Sequence, residues 1–447
     1  MKFDPTIFKA YDIRGTFPDQ MNAGVAEAIG RALADFLPTE GAMAVGRDMR
    51  LDSRELAEAL IRGLTAQGRD VVDIGLVTTE MIYFAVGHYD LAGGAMVTAS
   101  HNPGQYNGFK LCGREAATIG GETGLAVLKT TLERDQFKTA GQKGTVTKRD
   151  TTSDWITHAL GFANEKTWPP YKVAVDAGNG MAGKIVEGLE SKVPLKITPL
   201  FFEPDGNFPN HVPNPAVVDN LKDLIAAVIS QKLDFGMAFD GDGDRTFFVD
   251  ETGQPVSASV IAAILARDLL AKDPGQTVLY VVRMSRIVPE TITAAGGKAV
   301  ITPVGGGFIR PAMHEQNALL ATEGAGHYYF RANNYCDSGL ITAVIVTDIL
   351  ARAGGRFSEL TKPFMKYADS GEINVTVIDA KSKIEAVSSQ FSDGQQDRLD
   401  GLTVSYPDWW FNLRTSNTEP LLRLNVEADT TELMKSKRDE LVRLIEG

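Results

Sequence analysis

The sequence predicts an α/β protein built as four consecutive domains. Three observations predict it: helical and strand-like hydrophobic periods alternate along the chain, short apolar runs repeatedly end in glycine-rich or polar loops, and composition shifts at three places. At 447 residues the chain is too long for one hydrophobic core, and length alone predicts roughly three domains, with a natural binding site where they meet.

Taken in order, the first clear element is a helix over 53–66, with Leu56, Leu60, Ile61 and Leu64 on one face and Asp52 or Ser53 as N-cap. Val71, Val72 and Ile74 follow as a strand, and Ala95, Met96 and Val97 form a second one that ends in Thr-Ala-Ser-His-Asn-Pro over 98–103. Trp168, Pro169 and Pro170 break the pattern before a new first strand over 172–176 runs into Ala-Gly-Asn-Gly over 177–180. A boundary therefore falls near 155–168. The next lies just after Gly253, ahead of an apolar helix expected over 257–271. The last lies near 368–371, where helical composition gives way to an alternating strand over 372–378. The domains expected are 1–155, 156–253, 254–367 and a short 368–447. Segments 95–101, 236–242 and 319–327 share one plan, an apolar strand delivering polar residues into a loop. Ligands collect at such strand ends in α/β sheets, so the three loops are expected at one cleft.

Composition narrows the function. A net charge of −12 and no Lys/Arg run argue against nucleic-acid and anionic-membrane partners. No stretch approaches a membrane span and the N-terminus has no apolar leader, so a cytoplasmic enzyme is expected. Cys112 and Cys336 lack the spacing of a zinc site or redox pair, and no disulfide is expected between them.

The chemistry concentrates in two segments. Asp240, Asp242 and Asp244 alternate with glycines that let the backbone fold tightly, so the carboxylates converge and would repel without a cation. A solvated turn and an EF-hand loop are the alternatives, and Glu251 does sit at the twelfth position of the latter. Against the EF-hand, Arg245 stands where that loop needs glycine, and strand-like residues flank it. Ser100 alone reads as a turn former or cap. Coupled with the aspartates it becomes a candidate phosphoryl carrier, since a phosphoserine's charge suits a bound Mg²⁺. His101 is the weaker nucleophile candidate. Arg414, Thr415, Ser416, Asn417 and Thr418 string a guanidinium and several polar groups together, as a phosphate monoester requires. Tyr11, Asp12 and Arg14 read as a strand end or as site residues.

Together the segments 8–15, 98–103, 240–245, 323–327 and 414–418 resemble the α-D-phosphohexomutase superfamily, closest to its bacterial phosphomannomutase/phosphoglucomutase branch. The resemblance spans nearly the whole chain. It implies four domains around a central cleft: three related α/β domains with mixed sheets, and a smaller C-terminal α+β domain similar to the TATA-binding-protein fold. It implies reversible interconversion of hexose 1-phosphate and hexose 6-phosphate, for mannose or glucose, with Mg²⁺ as cofactor and a hexose 1,6-bisphosphate as activator and intermediate. Ser100 is implied as phosphoryl carrier and metal ligand with Asp240, Asp242 and Asp244, Arg245 as a phosphate contact, and Lys110 as general acid/base. Lys110 would need a lowered pKa to act as base. Arg14 and Tyr11 are implied near the phosphoserine, Arg283 as a basic cleft residue, Glu323 at the sugar hydroxyls with Gly305, Ala325 and His327 also binding substrate, and Arg414, Ser416, Asn417 and Thr418 at the non-reacting phosphate. The partners implied are hexose phosphates, and the chain is expected to be a monomer or small homo-oligomer.

Two loops depart from that pattern. Gly306 and Gly307 stand where close relatives carry a histidine and its small neighbour, and Ala325 replaces a hydroxyl residue. Both changes remove polar contacts, and the expected outcomes are a shifted specificity, a lower rate, or replacement by water or by Arg310 and Tyr328 nearby. A phosphoglucosamine mutase, a low-turnover phosphosugar-binding protein and a serine-nucleophile phosphatase are the competing readings.

Overall fold

Length of connection decides which strands run parallel here. A computed structural model describes residues 3–38, 40–121, 124–138, 140–377, 379–415 and 421–446. The first sheet contains β1 (Ile13–Thr16), β2 (Met43–Arg47), β3 (Val71–Leu76), β4 (Gly93–Val97), β5 (Tyr106–Gly113) and β6 (Val146–Lys148), in the order β1-β5-β4-β2-β3-β6. Strands β2, β3, β4 and β6 are parallel, as the alternation of elements predicts. The loop 98–105 is too short to carry a crossover, so β5 returns antiparallel to β4 and pairs Lys110 with Met96. Helices α1 (Ala23–Phe36) and α2 (Ser53–Ala66) bury Leu33, Leu56, Leu60 and Leu64 against this sheet's apolar face. Helix α2 has the expected bounds, but the Asp52 side chain makes no cap hydrogen bond; it accepts instead from Asn107 Nδ2 at 3.1 Å.

The second sheet repeats the plan. It contains β7 (Lys172–Asp176), β8 (Lys196–Leu200), β9 (Phe235–Phe239), β10 (Thr246–Asp250) and β11 (Pro255–Val256), in the order β11-β10-β9-β7-β8. Strands β7, β8 and β9 are parallel, while the short loop 240–245 forces β10 back antiparallel, Thr246 opposite Phe239. Every residue of β4 and of β9 is buried, as continuous apolar runs in covered sheets should be. Phosphoserine candidate and aspartate loop are therefore equivalent hairpin turns in two related sheets.

By contact density the chain forms two units, Met1–Ser257 with Ala325–Leu360, and Ala258–Gly324 with Thr361–Gly447. The first contains both sheets above and a further pair, β15 (Tyr328–Phe330) antiparallel to β16 (Cys336–Asp337), which leads into the buried helix Gly339–Ala353. In the second, β12 (Thr277–Val281) is flanked by parallel β13 (Lys298–Thr302) and β14 (Leu320–Thr322). Its apolar helix is Ala258–Lys272, one residue later than expected.

The second unit also holds the C-terminal antiparallel sheet: β17 (Ala368–Asp369), β18 (Ile373–Thr376), β19 (Gln395–Asp397), β20 (Leu402–Ser405), β21 (Trp409–Thr415) and β22 (Leu421–Ala428). Helices Ala380–Gln390 and Thr431–Glu446 cover it, closing a core around Phe411, Leu413, Leu424 and Leu441. Cys112 and Cys336 are buried and not joined in a disulfide. Among the described residues, no helix is long and apolar enough to cross a membrane.

Candidate active site

Ser100 sits in the hairpin turn after β4 with φ +52°, a left-handed conformation that serine adopts only when its surroundings impose it. Its backbone N–H donates to Thr98 Oγ1 at 2.8 Å, and Thr98 Oγ1 donates to buried Asp48 at 2.7 Å. The Ser100 hydroxyl donates to Asp240 Oδ2 at 2.9 Å and lies 3.1 Å from His101 Nδ1. Burial, reinforced by Arg245 and Arg14, holds the His101 imidazole well below its ordinary pKa, so it stays neutral.

Asp240, Asp242 and Asp244 form the facing turn, with ligand oxygens all within 4.8 Å of one another. Close approach requires the glycines between them: a Cβ on Gly241 would come within 2.7 Å of the Ser100 carbonyl, and Gly243 has φ +80° against Thr78. Thr79, at the start of helix α3 (Thr79–His88), donates its hydroxyl to Asp242 Oδ2, and its N–H meets the Asp242 carbonyl at 2.9 Å. Burial and the neighbouring Asp244 and Asp242 push Asp240 up to about 8. Burial also penalises charge on Asp242, but Lys110 and donated hydrogen bonds outweigh it and keep that carboxyl far below the usual range. Asp242 Oδ1 and Asp244 Oδ1 are buried without a hydrogen-bond partner. Converging carboxylate oxygens left unsatisfied, beside a hydroxyl, are the donor set of a hard divalent cation, so Mg²⁺ fits these residues. Glu251 takes no part in this: its carboxylate accepts from Ser358 N–H at 3.1 Å and from the Ser358 hydroxyl, which removes the calcium-loop reading.

Lys110 reaches the same turn from β5, its Nζ 2.7 Å from Asp242 Oδ2 and bonded also to Asp244. Burial works to lower its pKa, but Asp242 and Asp244 overcome that and hold the ammonium well above its ordinary value. With the aspartates bare, Lys110 thus holds its proton, which is the acid half of the acid/base role expected of it.

Arg245 donates Nε–H to His327 Nε2 at 2.9 Å, and His327 Nδ1–H donates to Asp337 Oδ2 at 2.6 Å. Burial and Arg245 lower the His327 pKa, but Asp244 and Asp337 outweigh them and raise it; in its neutral form the relay requires the Nδ1–H tautomer, which fixes the guanidinium in turn. A protonated ring could not accept from Arg245. His327 therefore lies directly beside Arg245, at the edge of the aspartate turn. Arg14 joins the serine loop through Asn102 Oδ1 at 2.6 Å and pairs with Asp12; Tyr11 is half-buried just before β1.

In the second unit, Glu372 gathers three arginines: Arg414 at 2.9 Å, Arg283 at 3.2 Å and Arg423 at 3.4 Å. One carboxylate against three guanidiniums leaves a net positive, largely buried cluster suited to an anion. Buried Glu323 adds its charge beside Arg283. Gly305, with φ +118°, starts helix Gly306–Gln316, so the two glycines in the histidine's place form that helix's first turn, and Arg310 is buried within it. Ala325 is half-buried in the first unit. Ser416, Asn417 and Thr418 lie outside the described residues.

Thr79, Glu372 and Arg423 carry no local sequence signal, and Asp337 lies in the run 327–339 without being singled out in it. Thr79 is 163 residues from its aspartate. Its one local cue is its place at a helix start, and that points to capping.

Family models described as phosphoglucomutase/phosphomannomutase alpha/beta/alpha domains I, II and III match residues 5–139, 154–253 and 258–367, and the C-terminal domain model matches 372–444. The chain is 41% identical over 444 residues to a protein named phosphohexose mutases from Xanthomonas campestris, covering 98% of this chain and 99% of that one. It is 39% identical over 451 residues to a phosphomannomutase from Escherichia coli K12, with the same coverage. A crystal structure of a phosphoglucomutase/phosphomannomutase family protein from Burkholderia thailandensis superposes with a TM-score of 0.91 at 33% identity, covering 100% of this chain and 98% of that one.

Proposed function

Since the chain belongs to the phosphoglucomutase/phosphomannomutase family, we propose that it interconverts hexose 1-phosphates and 6-phosphates, mannose and glucose among them, through a phosphoryl group carried on Ser100. One observation carries the proposal: two hairpin turns of separate sheets bring the Ser100 hydroxyl within 2.9 Å of Asp240, inside a buried carboxylate cluster.

Asp240, Asp242, Asp244 and Ser100 would hold Mg²⁺, which when bound supplies Lewis-acid neutralisation of the phosphoryl oxygens. Phosphoserine 100 gives its phosphoryl group to O6 or O1 of the sugar phosphate. The Oγ–P bond breaks, an O–P bond to the sugar forms, and the hydroxyl proton leaves to a base. Arg245, locked by His327 and Asp337, is aimed at the charge on the transferring oxygens. Lys110 is the group placed to hold or release the proton at this turn, its Nζ bonded to Asp242 and Asp244; a cation taken up by those carboxylates would weaken the attraction that raises its pKa. The resulting hexose 1,6-bisphosphate turns end for end and returns the other phosphate to Ser100. In this reading the arginine cluster of Arg414, Arg283 and Arg423 takes the phosphate that does not react, and the roles of Tyr11, Arg14, Gly305, Glu323 and Ala325 in substrate binding, and of Ser416, Asn417 and Thr418 at the phosphate, rest on the family resemblance. The reading requires hexose phosphates as partners and a cytoplasmic setting. The 39% identity to an Escherichia coli phosphomannomutase supports mannose among the substrates.

The test is intact-protein mass spectrometry after incubation with glucose 1,6-bisphosphate and Mg²⁺, followed by chase with mannose 1-phosphate, glucose 1-phosphate or glucosamine 1-phosphate. One phosphoryl group gained on Ser100 and then discharged by mannose and glucose phosphates is the expected result. Failure of the protein to gain it, or discharge only by glucosamine 1-phosphate, would reject the proposal.

A further inference from the structure

Directly after β2, and outside every segment singled out above, Arg50 lies fully buried beneath the Ser100 turn. Its Nη1 donates to the carbonyls of Pro103 and Tyr106, both at 2.8 Å, and its Nη2 to those of Ser100 at 2.8 Å and Asn102 at 2.6 Å. Four main-chain carbonyls of one loop thus converge on one side chain. Pro103 O also accepts from Tyr106 N–H at 3.0 Å, but without the guanidinium the Ser100 and Asn102 carbonyls would turn their dipoles together inside the protein, which disfavours this loop shape. The arginine is itself anchored. Asp48 Oδ2 lies 3.2 Å from its Nε, and the Phe208 ring stands 5.2 Å from the guanidinium carbon. Asp48 also takes the hydroxyls of Thr98 and Ser53, at 2.7 and 2.5 Å. The segment 98–100 is therefore tied at both ends, through Thr98 to Asp48 and through the Ser100 carbonyl to Arg50.

We infer that Arg50 is the positioning residue that aims Ser100, its planar fork setting the left-handed backbone at Ser100 and hence the direction of the hydroxyl. It touches neither the serine hydroxyl nor the aspartates through its own atoms. The inference rests on the reading of Ser100 as phosphoryl carrier. Lysine cannot substitute, because its donors radiate from one nitrogen and cannot span two pairs of carbonyls in fixed directions. A displacement of the serine oxygen by about 1 Å would cost on the order of 100-fold in rate while leaving sugar binding alone.

The experiment uses the full chain as wild type, Arg50→Lys and Arg50→Ala, assayed with glucose 1-phosphate, Mg²⁺ and trace glucose 1,6-bisphosphate, well below each variant's melting temperature. Arg50→Lys is expected to lose about 100-fold in kcat with KM within about threefold, and to take up the Ser100 phosphoryl group more slowly in proportion. Guanidinium ion at millimolar concentration should restore about tenfold to Arg50→Ala, while methylammonium at equal ionic strength should not. Arg50→Lys with kcat within about threefold of wild type, or losses in a folded Arg50→Ala that guanidinium leaves untouched, would overturn the inference. If Arg50→Ala does not fold, Arg50→Lys alone decides. Failure of the wild type to phosphorylate Ser100 would reject the carrier role itself, a separate outcome.

Discussion

Replacing Glu80 by glutamine should stabilise the protein at pH 8 and leave it nearly unchanged at pH 5. Glu80 lies in the first turn of α3, 1% exposed, where it accepts from the Ser338 hydroxyl and from Leu340 N–H at 3.4 Å, at the start of helix Gly339–Ala353. Burial, with Asp244 and Asp337 adding to it, pushes its pKa from 4.5 up to about 8. The folded state therefore holds this proton more tightly than the unfolded chain. Stability present below pH 4.5 is lost as pH climbs through the window to about 8. At 1.36 kcal/mol per unit the full loss is roughly 5 kcal/mol, an upper figure. Glutamine has no charge to lose, so any cost of its amide is the same at every pH. Melting temperatures of both proteins, taken with saturating Mg²⁺ from pH 5 to 8, should diverge by about 10 °C at the upper end, since about 1 kcal/mol moves Tm by roughly 2–4 °C in a domain of this size. Two curves that run parallel across that range would refute the reasoning.

Three further outcomes follow from the same geometry. Asp337→Ala strands the buried His327 Nδ1–H and frees Arg245, so kcat should fall about 10- to 100-fold, with Asp337→Asn retaining most activity; nitrogen NMR of His327 should show the Nδ1–H tautomer lost only in the alanine variant. Thr79→Val removes the hydroxyl that holds Asp242 and should weaken Mg²⁺ binding about tenfold by calorimetry, with little change in Tm. Glu372→Gln leaves Arg283, Arg414 and Arg423 without their carboxylate, and inorganic phosphate should bind about tenfold more tightly, with a steeper dependence on salt.

What the sequence reveals is what is local in it. Ser100 and the three aspartates are legible because each set occupies one tight turn, where residue types and spacing already state the geometry. The α/β alternation and helices such as Ser53–Ala66 are legible through hydrophobic period. The antiparallel return of β5 and β10 follows from loops too short for a crossover, a constraint that the alternation alone does not express. Contacts between distant segments leave no such trace: Arg50 under the serine turn, Thr79 on Asp242, Asp337 behind His327. Lys110 is a case in between. Resemblance names its role, but only the structure reveals two aspartates holding its proton, a charge balance that depends on what occupies their oxygens.

The most direct test of the account is phosphorus NMR of mannose 1-phosphate with Mg²⁺ and a trace of glucose 1,6-bisphosphate, comparing wild type with Ser100→Ala. The account predicts a growing mannose 6-phosphate signal with wild type alone. Equal conversion by Ser100→Ala, or inorganic phosphate appearing in place of the 6-phosphate, would contradict it.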